Sequence, residues 1–217
     1  MPAQPCILCG TFSNDGGWCK SCDADLPRLG EAHCPVCALP TLNGDICGRC
    51  LKHPPSFAAT SAAFAYAFPI DKLVQAVKFS GHLALVGQLA DALEPRILTR
   101  PDSIIAMPLH PLRLRERGFN QSHLLAQRLA QNLNISLLTE ACARTRNTPP
   151  QSLLPWQERG KNIRGAFVCS HDLSGKHIAI VDDVMTTGTS IDELASTLRQ
   201  AGAVKVSAWV LARTLPH

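Results

Sequence analysis

Two adjacent carboxylates and a group of hydroxyl side chains occur together in the stretch IAIVDDVMTTGTS, residues 178–190. Asp182 and Asp183 follow an apolar run that is typical of a parallel strand buried on both faces. The Gly- and Thr-rich segment after them leads into a helical pattern, so its backbone N–H groups are expected to bind an anion such as phosphate. This expected phosphate loop comprises Val184, Met185, Thr186, Thr187, Gly188, Thr189 and Ser190.

Carboxylates beside a phosphate site favour a ligand that also carries hydroxyl groups or a divalent cation. A sugar phosphate with free ribose hydroxyls meets both conditions, which makes the stretch a candidate site for such compounds. The alternative is an ordinary strand–turn–helix unit whose two acids have no ligand.

A second candidate phosphate contact follows another short apolar strand, at residues 104–107. Three arginines at alternate positions come next, in a segment that we expect to be a loop. The planar guanidinium group chelates phosphate oxygens, so the segment is expected to bind a polyanion, and a solvated basic turn is the alternative. The candidate residues are Pro108, Arg113, Arg115, Arg117, Gly118, Asn120 and Gln121.

A polar, proline-interrupted stretch at residues 139–167 has the character of a mobile loop that closes over an active site. Between residues 144 and 164 it carries five basic side chains against the single acid Glu158, which suits closure over a diphosphate. The alternative is a static arm that binds a partner or single-stranded DNA, with Trp156 either stacked on a base or buried as an anchor. Lys78, at a predicted helix end, is a further candidate cation or simply a solvated residue favoured by the helix dipole.

Eight of the ten cysteines form four CxxC pairs, separated by 9, 11 and 9 residues. Each pair puts two thiolates on one turn, and two pairs complete a four-cysteine zinc site. We expect one structural zinc ion in each sequential set, and a cross-braced pairing is the alternative. Cys142 and Cys169 are single and are expected to be buried apolar side chains. The expected ligands are Cys6, Cys9, Cys19, Cys22, Cys34, Cys37, Cys47 and Cys50.

These residues must be positioned by two units, a zinc ribbon at residues 1–55 and a larger domain at residues 56–217, joined by a stiff proline-containing linker. In the larger domain, strands near residues 104, 135, 178 and 206 alternate with helical patterns, after a strand or hairpin at 60–68. The alternation predicts an α/β fold with a parallel sheet and helices on both faces. Ligands bind such sheets at the carboxyl ends of strands, so the two phosphate-binding segments are expected to converge on one crevice.

The composition, 46% hydrophobic and 18% charged with a net charge of +4, is that of a globular protein. The pI of about 8.6 is compatible with phosphate-bearing ligands, but a DNA reader is expected to show a denser basic face. No run has the length of a membrane span, and the N-terminus lacks a signal-peptide pattern. A cytoplasmic protein is therefore expected, which favours zinc over disulfides because thiols stay reduced there. The ribbons are expected to act as a lid or docking module, with a direct nucleic-acid contact as the alternative.

The stretch IVDDVMTTGTS resembles the phosphoribosyl diphosphate (PRPP) motif of type I phosphoribosyltransferases. Together with KFSG at 78–81, the arginine segment and residues 144–167, it resembles the ComF family, proteins associated with competence and the use of imported DNA. The resemblance implies that Asp182 and Asp183 contact the ribose hydroxyls and that the phosphate loop holds the 5′-phosphate of PRPP with its Mg²⁺. It also implies an N-terminal double zinc ribbon. It places the flexible catalytic loop at residues 139–167, where the candidates are Gln151, Arg159 and Asn162.

Two functions follow as expectations. The first is a Mg²⁺-dependent phosphoribosyltransferase that acts on PRPP and an unidentified acceptor, with the arginines and Lys78 neutralising the diphosphate. The second is a non-catalytic accessory protein that uses the site as a sensor, or as a platform for single-stranded DNA and DNA-uptake proteins.

Overall fold

The computed structural model describes residues 3–14, 16–146 and 163–216, and its largest element is a parallel sheet of five strands. The described strands are β1 (Gln4–Pro5), β2 (Phe12–Ser13), β3 (Ala59–Ala65), β4 (Ser103–Ala106), β5 (Ser136–Leu137), β6 (Cys142–Arg144), β7 (Phe167–Cys169), β8 (His177–Met185) and β9 (Lys205–Arg213). Across the sheet the order is β3, β9, β8, β4 and β5, and each neighbouring pair is parallel. The acid-bearing strand β8 therefore lies at the centre of the sheet.

Helices cover both faces of this sheet. The described helices are α1 (Lys20–Ala24), α2 (Gly48–Lys52), α3 (Ile70–Ser80), α4 (Leu85–Leu93), α5 (Pro111–Arg117), α6 (Gln121–Leu133) and α7 (Thr189–Gln200). Alternate residues of β8 serve the two layers: Ala179 and Val181 pack with α3, α4 and α6, whereas Ile178 and Ile180 pack with α7. Because both faces are buried, the strand is apolar without interruption, as in other parallel sheets. The predicted α/β fold class is confirmed.

The arginine segment is a helix rather than the expected loop. α5 begins with Pro111 at its first turn, where the side chain of His110 accepts the backbone N–H of Leu112 at 3.3 Å. Leu and Arg are good helix formers, and Gly118 ends the helix with a left-handed φ of 82°. Arg113 and Arg117 consequently lie one turn apart on the same face, while Arg115 points elsewhere.

The phosphate loop is shorter than expected, because β8 does not stop before its two acids. β9 is equally long, and the pairing continues past the acids as far as Met185 with Arg213. Val184 and Met185 therefore belong to β8, Thr186, Thr187 and Gly188 form the turn, and Thr189 and Ser190 open α7.

The stretch expected to be one mobile loop contains β6 and reaches the first residue of β7, and these two strands form an antiparallel pair. Cys142 and Cys169 are direct partners in this pair and both are half-buried, so the expectation of two separate buried cysteines is wrong. Antiparallel pairing brings together residues that are far apart in sequence, which the spacing of two single cysteines did not indicate. Burial, together with Cys169, raises the pKa of the Cys142 thiol. The predicted roles of Gln151, Trp156, Arg159 and Asn162 lie outside the described residues.

Among the described residues, no helix has both the length and the apolar character that crossing a membrane requires.

Candidate functional site

Two helices distant in sequence hold the acids at the end of β8. Asp182 Oδ1 accepts hydrogen bonds from Ser122 Oγ and from the backbone N–H of Asp183, each at 2.9 Å. Asp183 Oδ2 forms an ion pair with Lys78 Nζ and accepts a longer hydrogen bond from Gln121 Nε2 at 3.4 Å. Helices α3 and α6 thus bring one cation and two neutral donors to the carboxylates.

The carboxyl group of Asp182 ionises less readily than an ordinary aspartate. Asp182 keeps some exposed surface, but protein atoms surround its carboxyl group. This desolvation, followed by the charge of Asp183, raises the pKa of Asp182 to about 7, against the opposing effects of Ser122 and Lys78. Without a ligand, Asp182 is therefore partly protonated near neutral pH, and a ligand or cation that requires the carboxylate must displace that proton.

This shift predicts a pH-dependent gain in stability on replacing Asp182→Asn. The folded pKa lies above the ordinary value, so the folded state retains the proton and the wild type loses stability as the pH rises from about 4 to about 7. Asn keeps an acceptor for Ser122 and has no proton to lose. We expect the variant to gain about 2 kcal/mol in free energy of unfolding at about pH 8, after allowance for solvent screening, and less at about pH 6.

Urea unfolding of the ligand-free protein across that range measures the effect, with Asp172→Asn as the control. Asp172 is an exposed acid whose pKa is lowered by hydrogen bonds from Ser174, so its replacement should give no gain above neutral pH. If the free energy of unfolding changed with pH in the same way in the wild type and in Asp182→Asn, the raised pKa of Asp182 would be contradicted.

The turn between β8 and α7 depends on Gly188, whose φ of 84° is left-handed. A Cβ at this position would lie 2.9 Å from Met185 Cε, which is a flexible chain end that would have to shift, so the left-handed backbone is the main reason that glycine is favoured. Thr187 Oγ1 hydrogen bonds with Thr189 Oγ1 at 2.6 Å and accepts the Thr189 N–H at 3.2 Å. The first helical hydrogen bond runs from Asp192 N–H to Gly188 O, so the N–H groups ahead of it have no partner within the helix. This arrangement suits an anion.

Arg113 and Arg117 of α5 line a cavity of about 470 Å³ beside the acids, together with Lys78, Phe79 and Phe119. The guanidinium group of Arg117 lies 5.4 Å from the centre of the Phe79 ring. Burial lowers the pKa of Arg117, and Arg113 lowers it too, whereas Asp183 raises it. The cavity is therefore lined by three cations and two aromatic rings, together with the acid Glu116.

The other predicted residues of the arginine segment shape the crevice. Pro108 is buried just after β4, and Gly118 ends α5. Asn120 caps α6 by accepting the N–H of Ser122 at 3.0 Å and donates to Met107 O at 3.0 Å. Arg115 is not among the residues that line the cavity in the described part of the chain.

Two residues near the acids were not named as contacts of these acids: Ser122 was not predicted at all, and Arg144 was counted only among the basic residues of the expected mobile loop. Ser122 lies in the first turn of α6, two residues after the polar cap Asn120, and that position was the available signal. Arg144 lies on β6 near Asp182, and its guanidinium is 5.9 Å from the centre of the Phe167 ring. Burial lowers the pKa of Arg144, as does Arg113, while Asp182 raises it. Its position depends on the unpredicted β6–β7 pairing.

The eight paired cysteines form two clusters in the sequential arrangement. Within each cluster the Sγ atoms lie within 4.8 Å of one another, and the measured separations include 3.8 Å for Cys9 with Cys19 and 3.7 Å for Cys37 with Cys47. A tetrahedral zinc site with Zn–S bonds of about 2.3 Å has edges of about 3.8 Å, so both clusters fit zinc. The alternative cross-braced pairing is excluded. The clusters are Cys6, Cys9, Cys19, Cys22 and Cys34, Cys37, Cys47, Cys50.

Backbone N–H groups donate to one thiol in each cluster, whereas neighbouring thiols and burial raise the pKa of Cys22 and Cys50. The Cys19 N–H points to Cys6 Sγ and the Cys47 N–H to Cys34 Sγ, each at 3.3 Å. Burial opposes ionisation of Cys6, but such backbone hydrogen bonds lower its pKa to about 6. A thiolate at neutral pH is the form that binds zinc.

Known protein families match both parts of this chain. The family model of a double zinc ribbon domain matches residues 1–51, and that of a phosphoribosyl transferase domain matches residues 120–215. A DNA utilization protein YhgH of Shigella flexneri is 37% identical over 221 residues, covering 97% of this chain and 97% of that protein. Competence protein F of Haemophilus influenzae is 34% identical over 178 residues, covering 77% and 78%.

Similarity to solved structures is more distant. A glutamine PRPP amidotransferase from B. subtilis is 19% identical, with a TM-score of 0.41, over 58% of this chain and 26% of that one. An adenine phosphoribosyltransferase from Thermoanaerobacter pseudethanolicus is also 19% identical, with a TM-score of 0.35, over 72% and 92%.

The fold and the two family matches define the class, a phosphoribosyltransferase-type α/β domain preceded by a double zinc ribbon. The relatives matched over nearly their whole length are DNA utilization and competence proteins. The chain belongs to the ComF family, and the resemblance noted in the sequence is confirmed.

Proposed function

We propose that the protein binds PRPP with Mg²⁺ and transfers its phosphoribosyl group to an acceptor that is still unidentified. The observation that carries this proposal is the meeting of the acids Asp182 and Asp183, held by Ser122 and Lys78, with the turn of Gly188 at the start of α7. One side of the crevice suits ribose hydroxyls and the other suits a phosphate.

Each part of PRPP has a counterpart in the crevice. The two carboxylates would accept hydrogen bonds from the ribose hydroxyls, and the N–H groups of residues 186–190 would bind the 5′-phosphate. Arg113, Arg117 and Lys78 would face the diphosphate, where cations stabilise the leaving group. Mg²⁺ prefers oxygen ligands and retains several waters, so it would be held mainly by oxygens of the ligand and by water, and it would offset part of the charge of the diphosphate.

Lys78 would change partner when the ligand arrives. In the ligand-free protein Lys78 forms an ion pair with Asp183, and its charge offsets the repulsion between the carboxylates of Asp183 and Asp182. Hydrogen bonds from the ribose hydroxyls to Asp183 would replace its contact with Lys78, so that Lys78 becomes available to the diphosphate. As the C1–O bond to diphosphate breaks, the acceptor forms its bond to C1, and the protein would contribute mainly positioning and charge stabilisation.

Calorimetric titration with PRPP in the presence of Mg²⁺ tests the binding step. Micromolar affinity that disappears when Mg²⁺ is omitted is the expected result. A panel of purine and pyrimidine bases, with released diphosphate as the readout, then tests transfer. Binding without diphosphate release from any acceptor would leave a sensor or platform, and no binding at all would overturn the site.

A second candidate function, a platform for single-stranded DNA, is favoured by the exposed side chain of Phe79. This ring is 74% exposed, and Arg117 and Lys78 lie beside it in the 470 Å³ cavity. Aromatic rings beside cations suit unpaired bases and their phosphates. Fluorescence titration with a short oligonucleotide tests it: Phe79→Ala should weaken binding about tenfold, whereas Phe68→Ala, which removes a ring of 75% exposure elsewhere, should not. If Phe79→Ala bound the oligonucleotide as tightly as the wild type does, this platform would be excluded.

The cytoplasmic location and the domain boundary near residue 55 stay predictions.

A further inference from the structure

The second zinc ribbon, which carries the cluster of Cys34, Cys37, Cys47 and Cys50, contacts the turn at residues 186–188 that we assign to the 5′-phosphate and call the phosphate turn. Helix α2 carries the cluster residue Cys50, and one residue before it Arg49 donates from Nη2 to the backbone carbonyl of Thr187 at 2.7 Å. Thr187 lies in the turn between β8 and α7, 138 residues further along the chain. A side chain from a metal-binding helix thus holds the backbone of the turn directly.

Arg213, at the end of β9, makes a second and deeper connection. Its side chain is 1% exposed, and its Nε donates to the carbonyl of the cluster residue Cys37 at 2.7 Å. Its Nη1 donates to Met185 O at 2.9 Å and also to the carbonyl of Thr186. One planar guanidinium group therefore joins a cysteine turn of the second cluster to the end of β8 and the first residue of the phosphate turn.

The charge of Arg213 also points to the cluster. Among residues 3–14, 16–146 and 163–216, no carboxylate forms an ion pair with this buried cation. A buried charge is costly unless an opposite charge lies close by. Four thiolates outweigh one divalent ion, so a zinc-loaded four-cysteine cluster would be an anion and would supply a counter-charge next to Arg213.

The first ribbon is attached elsewhere. The backbone N–H of Trp18 donates to Gln88 Oε1 at 3.0 Å, and Gln88 Nε2 returns a hydrogen bond to Trp18 O at 3.0 Å. Gln88 belongs to α4, which packs on the sheet face opposite α7. The two clusters therefore have different neighbours, and the second one adjoins the phosphate turn.

We propose that the second four-cysteine cluster, Arg213 and Arg49 form one positioning unit for the phosphate turn, so that zinc in that cluster and PRPP at the turn stabilise each other. This inference rests on the proposed function for the identity of the ligand. The connection itself rests on the three carbonyl groups at residues 185–187 that the two arginines hold. The coupling is reciprocal, because binding energies linked through one structure must act in both directions.

Hydrogen exchange of the full-length, zinc-loaded protein without ligand tests the connection independently of PRPP. We expect the amides of residues 185–190 to exchange about tenfold faster in Arg49→Gln and in Arg213→Lys. The lysine lacks the planar guanidinium group that donates to Cys37 and to Met185 at the same time. Lys52→Gln is the matched control, since it removes a cation from the same helix and should leave exchange at the turn unchanged. Unchanged exchange in both arginine variants would overturn the proposal, even if one of them is destabilised.

Zinc release to a chromogenic chelator, with and without PRPP and Mg²⁺, tests the reciprocal effect. In Cys6→Ser/Cys9→Ser, which retains the second cluster, PRPP should slow zinc release at least about fivefold. In Cys34→Ser/Cys37→Ser, which retains the first cluster, it should not. Arg49→Gln should reduce the slowing in the wild-type background while two zinc ions remain bound. If PRPP binds the wild type but slows release from neither cluster, the inference fails; if PRPP does not bind, the proposed function fails and the exchange experiment still decides the connection.

Discussion

The double substitution Asp182→Asn with Asp183→Asn is expected to weaken PRPP binding at least about 100-fold. Each carboxylate would accept charge-assisted hydrogen bonds from ribose hydroxyls, which contribute about 1.5–3 kcal/mol each, and Asn replaces a charged acceptor by a neutral one. Two such losses correspond to a factor of about 100 or more in Kd. The loss of negative charge would also weaken the attraction of the site for Mg²⁺ bound with the ligand.

Calorimetry with PRPP and Mg²⁺ measures this effect, and the fold must be monitored at the same time. The double variant should remain folded, because Asn at position 182 keeps the acceptor for Ser122, although Lys78 loses its partner at position 183. The control is Asp172→Asn, which replaces an exposed acid ahead of the amino end of β8, whereas the crevice lies at the carboxyl end; this variant should bind as the wild type does. An unchanged Kd in the double variant would mean that the acids do not contact the ribose.

Removal of zinc is expected to unfold the amino-terminal ribbons. In the described part of the chain, residues up to 52 contain only two-residue strands and five-residue helices, too little regular structure to be stable alone. Structural zinc in small domains contributes about 10–16 kcal/mol per site near neutral pH, more than such a unit gains from its apolar core. Metal analysis should find two zinc ions per chain, and loss of either should expose amides of the corresponding ribbon to rapid exchange.

The two single-cluster variants separate these contributions. Cys6→Ser/Cys9→Ser and Cys34→Ser/Cys37→Ser should each retain one zinc ion. Cys142→Ser/Cys169→Ser, which removes the paired cysteines of β6 and β7, is the matched control and should retain both ions. A zinc content of one in the wild type would contradict the two-cluster arrangement.

Much of this architecture was predictable because it depends on neighbours in sequence. A CxxC pair closes one turn, so its spacing indicates a metal site before any fold is known. The apolar run ahead of Asp182 predicts a buried strand, and the helix after Gly188 follows from local hydroxyl and glycine residues. The termini of α5 were equally local, but reading three arginines as one loop overlooked the helix-starting Pro111 and the helix-ending Gly118.

Residue types and short spacings therefore established the zinc clusters, the fold class and the acid–turn–helix unit of this protein. Folding alone established which distant side chains meet that unit: Lys78 on Asp183, Ser122 on Asp182, and Arg213 between Cys37 and the strand end. The reason is the strand order of the sheet, because two parallel strands that lie side by side are joined by a long crossover connection. No local sequence pattern specifies which strand a crossover places beside which. The phosphate turn is a local feature of the chain, whereas its connection to the second zinc ribbon exists because β9 ends beside it and because Arg49 of α2 reaches Thr187.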